Sequence, residues 1–154
     1  MANTEFFHGW GQLLGSNTSG VTFTGYGPVR ATRIGSLYLI EGEARITQIT
    51  NGSSSDYLTG IKISNVLSAL GITAELTYKG NYYNMLSCFD ENGYNYSSSS
   101  MALYYQYGNV AEQENGILRF ARYYDTSGSV DGWASIVPMY HEGNLWVFSF
   151  AMEE

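Results

Sequence analysis

The stretch YLIEGEARI, residues 38–46, decides the fold class. Its even positions are Tyr38, Ile40, Gly42, Ala44 and Ile46, and its odd positions include Glu41, Glu43 and Arg45. Successive side chains of a β-strand point to opposite faces, so this order buries one face and wets the other, as in an antiparallel sheet. The rhythm returns at Trp146, Phe148, Phe150 and Met152, and again at Met101, Leu103, Tyr105 and Tyr107. Between such runs stand glycine and asparagine turns: Gly25–Gly27, Gly35–Ser36, Asn51-Gly52, Lys79-Gly80-Asn81, Asn92-Gly93, Gly108-Asn109, Gly128 and Gly143-Asn144. Short strands at this spacing predict an all-β fold, an antiparallel β-sandwich of jelly-roll-like form.

Two hairpins follow from the turn chemistry, since Gly and Asn tolerate the positive φ of tight turns. Asn92-Gly93 lies between Tyr82–Phe89 and a strand near Met101–Tyr107, and Gly143-Asn144 joins Trp133–Tyr140 to Leu145–Met152. Pro138 lacks an amide donor and marks its strand as an edge. One segment breaks the alternation. Ile63, Val66, Leu67 and Leu70 fall at i, i+3, i+4 and i+7, which predicts one short helix near residues 64–70, with Ser64 as N-cap and Gly71 just past its end. Too short to persist alone, it must pack on the sheet.

Composition sets the outer limits. The 154 residues are read as a single domain, 1–154, with room for an N-terminal arm over residues 1–20. Charged residues are 14% and aromatics 16%, against about 25% charged in an average globular chain. That balance argues against disorder and against a helical bundle. The net charge is −7, and no Lys/Arg cluster offers a surface to nucleic acid or to anionic lipid. No apolar run approaches the roughly 20 residues of a membrane span, so no membrane insertion is expected. The first residues, MANTEFFHGWGQLL, have no basic segment ahead of a long apolar one, which predicts no signal peptide. The lone Cys88 sits in an apolar stretch and reads as a buried, inert thiol.

Catalytic patterns are weak. Glu41 and Glu43 share a strand face about 7 Å apart, a separation that glycosidase carboxylates also use, yet a solvated face beside Arg45 accounts for them. Asp125–Asp131 alternates oxygen-bearing residues as a calcium loop does, but Val130 stands where that loop needs glycine and Ile136 where it needs glutamate. His8 and His141 are the only histidines, and no nucleophile elbow, phosphate loop or dinucleotide fingerprint accompanies them. A non-enzymatic protein without cofactor or metal is therefore expected. Tyrosine is the unusual feature, with 14 in the chain and most of them between Tyr82 and Tyr124, interleaved with Ser, Asn and Gly. Stiff aromatic surface mixed with small polar residues is the chemistry of binding loops. Tyr94 and Tyr96, in the loop after Asn92-Gly93, are the first candidates for ligand binding, and Tyr124 and Trp133 complete the set.

Within residues 30–46, Arg33, Ile34-Gly35-Ser36, and Gly42 between Glu41 and Glu43 resemble a pattern of the C-terminal, receptor-binding domains of bacteriophage and prophage tail fibres. Trp10 is a counterpart of a Trp-containing segment upstream, and Leu145–Met152 of a closing aromatic strand. The chain departs where such domains carry a Gly-Leu-Pro segment, because Ile63–Gly71 reads as helical. The resemblance implies a compact β-sandwich at the tip of a fibre in the virion tail, made in the bacterial cytoplasm and assembled as a homotrimer. It implies binding to a saccharide or protein on the bacterial surface. Two alternatives stand beside it: a purely structural virion or baseplate protein, and a bacterial carbohydrate-binding module.

Overall fold

A computed structural model of the chain describes residues 4–16, 19–50, 59–79, 84–95, 101–105, 116–122 and 141–154, with backbone alone for 101–105 and 119–122. Three long strands open it: β1 (Thr4–Ser16), β2 (Thr22–Ile34) and β3 (Leu37–Thr50). Then come β4 (Thr59–Lys62), helix α1 (Ile63–Leu70), β5 (Thr77–Tyr78), β6 (Asn84–Phe89), β7 (Met101–Tyr105), β8 (Ile117–Arg122) and β9 (Leu145–Glu153). The stretch of residues 1–20 allowed as an arm thus carries β1, hydrogen-bonded along β2 from Thr4 to Leu14.

The all-β expectation holds, with one short helix among the described residues, and every described ladder is antiparallel. The strands form one sheet in the order β5-β9-β3-β2-β1-β4-β8-β7. β6 pairs with β9 along Leu145–Phe150, on the edge that β5 continues at Met152 and Glu153. β3 occupies the other edge of β9 throughout. β6 and β7, at opposite ends of this order, lie against each other, so the sheet curls back on itself around its core.

The inner face is the alternation of residues 38–46 carried across neighbouring strands. Tyr38, Ile40, Ala44 and Ile46 of β3 are buried with Phe23, Val29 and Ala31 of β2 and with Trp146, Phe148, Phe150 and Met152 of β9. Each large side chain among them contributes about 1.5–3 kcal/mol by leaving water. Gly42 belongs to this face because a Cβ there would meet the Pro28 carbonyl oxygen at 2.9 Å and the Phe148 ring at 3.0 Å. Two bulges shift the alternation. The pairing moves from Gln12↔Tyr26 to Leu14↔Gly25, so Leu13 is extra and both Leu13 and Leu14 are fully buried. It moves again between Thr24↔Gln48 and Gly25↔Ile46, after which Ile49, three residues beyond Ile46, packs on the core. A bulge bends its strand and strengthens the twist, which is what a curled sheet of 13- and 14-residue strands requires.

Helix α1 lies over the inner face of β1. Gly9 is opposite Val29 in the ladder, and a Cβ on Gly9 would collide with the Ala69 carbonyl oxygen. Glycine there lets helix backbone rest on strand backbone, while Ile63, Val66 and Leu70 enter the common core. The C-terminal reading is borne out: Gly71 is left-handed at φ 73°, and its amide donates to the last turn. The N-cap reading is corrected. Lys62 occupies the cap with no side-chain hydrogen bond, and the first helical amide, of Ile63, donates instead to the Gly116 carbonyl at 2.9 Å. A carbonyl from the β8 approach thus does what the Ser64 hydroxyl was expected to do, and Ser64 stays exposed.

Gly143-Asn144 is a turn that leads into β9, with Gly143 at φ 91°, but the expected hairpin is corrected, because β9 pairs with β3 along one edge and with β6 and β5 along the other. The expected other arm, Trp133–Tyr140 with Pro138, lies outside the described residues, as does Asp125–Asp131. Gly93 has φ 87°, and a single bridge joins Phe89 to Asn95. The described ladders of β6 and β7 run to β9 and β8 respectively. Near the end of β9, Arg33 bonds Glu5 at 2.8 Å and Glu154 at 3.3 Å, tying β1, β2 and β9 at one corner.

Candidate functional site

The inner face is filled, so the chemistry falls to the outer one. In β1 the even positions Phe6, His8 and Trp10 face out, because the odd positions Phe7, Gly9 and Gly11 are turned toward α1 and the core. Small residues inside let the helix close down and leave the large aromatics outside. Trp10 is 66% exposed and Phe6 78%, far from the burial usual for such rings. Trp10 is not loose. Its ring stacks on Tyr26 of β2 at 5.6 Å between centroids with 23° between planes. The Tyr26 hydroxyl donates to Gln12 Oε1 at 3.3 Å, and Gln12 Nε2 donates to the Leu14 carbonyl at 3.0 Å. An aromatic face and an amide are therefore held in one arrangement on the outer side of β1.

Beside Trp10 runs a groove of about 450 Å³ between β1 and α1, lined by Trp10, Gln12, Ser16, Lys62, Asn65 and Ser68 together with small residues. The polar lining is the outward side of α1, whose inward side is the apolar stripe, so one amphipathic turn of sequence builds both core and groove wall. Lys62 has no carboxylate partner among the described residues. An indole face with an amide, hydroxyls and an ammonium around it suits a ligand with apolar C–H faces and many hydroxyl groups.

Of the residues expected to bind, Tyr94 is 63% exposed on the turn after β6. Its amide and that of Asn92 both donate to Asp90 Oδ1 at 2.8 Å. Tyr94 lines neither this groove nor the hollow described below. Tyr96, Tyr124 and Trp133 lie outside the described residues. Trp10 and Tyr26 were missed as a pair because they meet only through the β1–β2 ladder. The alternation of residues 6–11, with glycines inside and aromatics outside, marks Trp10 alone of the two as outward-facing.

The other sequence candidates separate clearly. Glu41 and Glu43 do share the outer face of β3, and Glu41 accepts from Arg30 Nε at 2.8 Å. His8 and His141 are both exposed, and the described residues contain no group of three or more His, Cys, Asp or Glu able to hold a metal ion. Cys88 is fully buried in β6. Burial, with the Asp90 charge a lesser cause, pushes its thiol up to about 12, so it stays protonated and unreactive at neutral pH. No described helix is long and apolar enough to cross a membrane. Compared with protein-family models, with curated proteins and with solved structures, the chain matches none.

Proposed function

We propose that the chain is a phage-type tail-fibre or tail-tip domain that binds a receptor, a glycan, on the bacterial host surface, and that it acts without catalysis. The observation that carries this reading is the exposed Trp10 indole, fixed on Tyr26 and set beside a polar groove. Sugar rings present flat C–H faces that stack on indole, and their hydroxyls exchange hydrogen bonds with Gln12, Asn65, Ser68 and Lys62. Such contacts are individually weak. A homotrimer multiplies them, since linked sites raise effective concentration without any new contact. The resemblance of residues 30–46 to tail-fibre tips agrees with this mode of use, as does a sequence without a Lys/Arg cluster.

The test is adsorption to host cells or binding to a surface-glycan array, with light scattering to count subunits. Trp10→Ala should lower adsorption at least tenfold while leaving the thermal midpoint and the oligomer unchanged. Undiminished adsorption by Trp10→Ala sinks the reading. A second reading, a structural virion protein, is favoured by one observation: Phe6 and Ile34 are both exposed on the same outer face, β1 against β2. Under it Phe6→Ser disrupts assembly and Trp10→Ala leaves host binding untouched. The carbohydrate-binding module differs by binding glycan as a monomer.

A further inference from the structure

A second concavity lies on the outer face, across β3, β9 and β6. It has a volume of about 250 Å³ and is lined by Arg30, Glu41, Glu43, Met85, Ser87 and Ser149, with Val147 and Phe148 below. The ladders fix its plan. Glu41, Ser149 and Met85 form one row across the three strands, and Glu43, Val147 and Ser87 the next. Rows of outward residues stand about 6.8 Å apart along a strand, and strands about 4.8 Å apart across the sheet. The floor is the middle strand of three and is held on both edges.

Three features of this hollow ask for a ligand, and together they define it. The Ser149 hydroxyl is buried, with the residue 5% exposed, and has no hydrogen-bond partner among the described residues. A buried hydroxyl without a partner is costly, and native structures hold few of them. Glu43 is exposed and has no cation within ion-pair distance among the described residues, whereas Glu41 is engaged by Arg30. Two carboxylates against one guanidinium leave the hollow acidic, on a chain of net charge −7, so it repels phosphates and acidic sugars. Met85, 62% exposed, supplies an apolar wall. The volume lies below the roughly 300–1,000 Å³ of drug-sized sites and suits one ring.

Resting on the glycan reading above, we infer that this hollow is a subsite for a single amino-sugar ring carrying a free ammonium group. The ammonium pairs with Glu43, one ring hydroxyl satisfies Ser149, Ser87 meets another, and a C–H face lies on Met85. The site selects against the N-acetylated form, which has no positive charge.

The experiment is an amide-shift NMR titration of the full 154-residue chain with glucosamine, N-acetylglucosamine and methyl glucoside as probes. Glucosamine should give saturable shifts at Ser87, Ser149 and Glu43, with affinity at least tenfold above that of the other two sugars and falling with added salt. Glu43→Gln, an exposed substitution that leaves the fold intact, should abolish the preference, and Ser149→Ala should weaken binding several-fold. Equal affinity for the three sugars, no shift in the hollow, or an unaffected Glu43→Gln overturns the inference. The two readings fail separately. Loss of adsorption in Trp10→Ala with a silent hollow leaves the glycan function standing and removes the subsite. A responsive hollow with adsorption indifferent to Trp10 does the reverse.

Discussion

The groove beside Trp10 and the hollow over Ser149 are built from different materials. One wall of the groove is a strand and the other a helix of 8 residues, joined by backbone contact at Gly9. Three hydrogen-bonded strands make the floor of the hollow. Among the described residues the groove carries the unpaired cation Lys62, and the hollow carries the unpaired anion Glu43. A ladder fixes the spacing of its side chains, whereas a short helix holds position only through its packing. The groove should therefore be the adaptable site and the hollow the rigid one, with opposite preferences in ligand charge.

The sharpest way to break this contrast is at Gly9. Gly9→Ala drives a methyl into the Ala69 carbonyl, so helix or strand must move, at a cost of about 3 kcal/mol. Denaturant unfolding should show that loss, and NMR shifts in the folded variant should spread over α1 and Trp10 while Ser149 and Glu43 keep theirs. Shifts spread equally over both sites would erase the distinction. Alkali should act next. The folded Cys88 thiol lies well above its unfolded value, so the unfolded chain releases its proton first as pH rises. Stability is therefore undiminished below pH about 9 and is lost progressively toward pH 12, and Cys88→Ala should flatten that slope in unfolding curves measured across this range. Ser149→Ala should go the other way and stabilise the free protein by about 1 kcal/mol, because it removes a buried hydroxyl with no partner among the described residues. A midpoint raised by about 3 °C in calorimetry would show it, and a lowered one would mean that the hydroxyl has a partner after all. Smallest of all, Arg30→Gln breaks an exposed ion pair and should cost about 0.5 kcal/mol or less. Its visible effect should be stronger binding of a cation in the hollow, read by the same glucosamine titration.

How far the sequence could be read depended on range. Residues 38–46 and 145–152 announced their faces directly, because a strand buried on one side must alternate. The end of α1 was legible at Gly71, where a left-handed cap is a local demand. Its beginning was not, because the Gly116 carbonyl that takes the Ile63 amide comes from more than 50 residues downstream. Ile49 escaped for a similar reason: the bulge that turns it inward is a property of the β2–β3 register. Among site residues, Tyr94 was found exposed in its loop as loop chemistry suggested. The stacked pair Trp10–Tyr26 and the row Glu41–Ser149–Met85 had no local signature, because each depends on the register between strands.

The sequence by itself determined that the chain is antiparallel β with one short helix, which side chains of β3 and β9 go inside, and that Cys88 is buried. Those are consequences of side-chain periodicity and hydrophobicity, which act between neighbours a few residues apart. Only the tertiary structure decided that the strands join in one curled sheet, that glycines on the inner side of β1 expose Trp10, and that Ser149 is covered without a partner among the described residues. Those depend on register, and register is settled by the whole set of ladders closing around a common core.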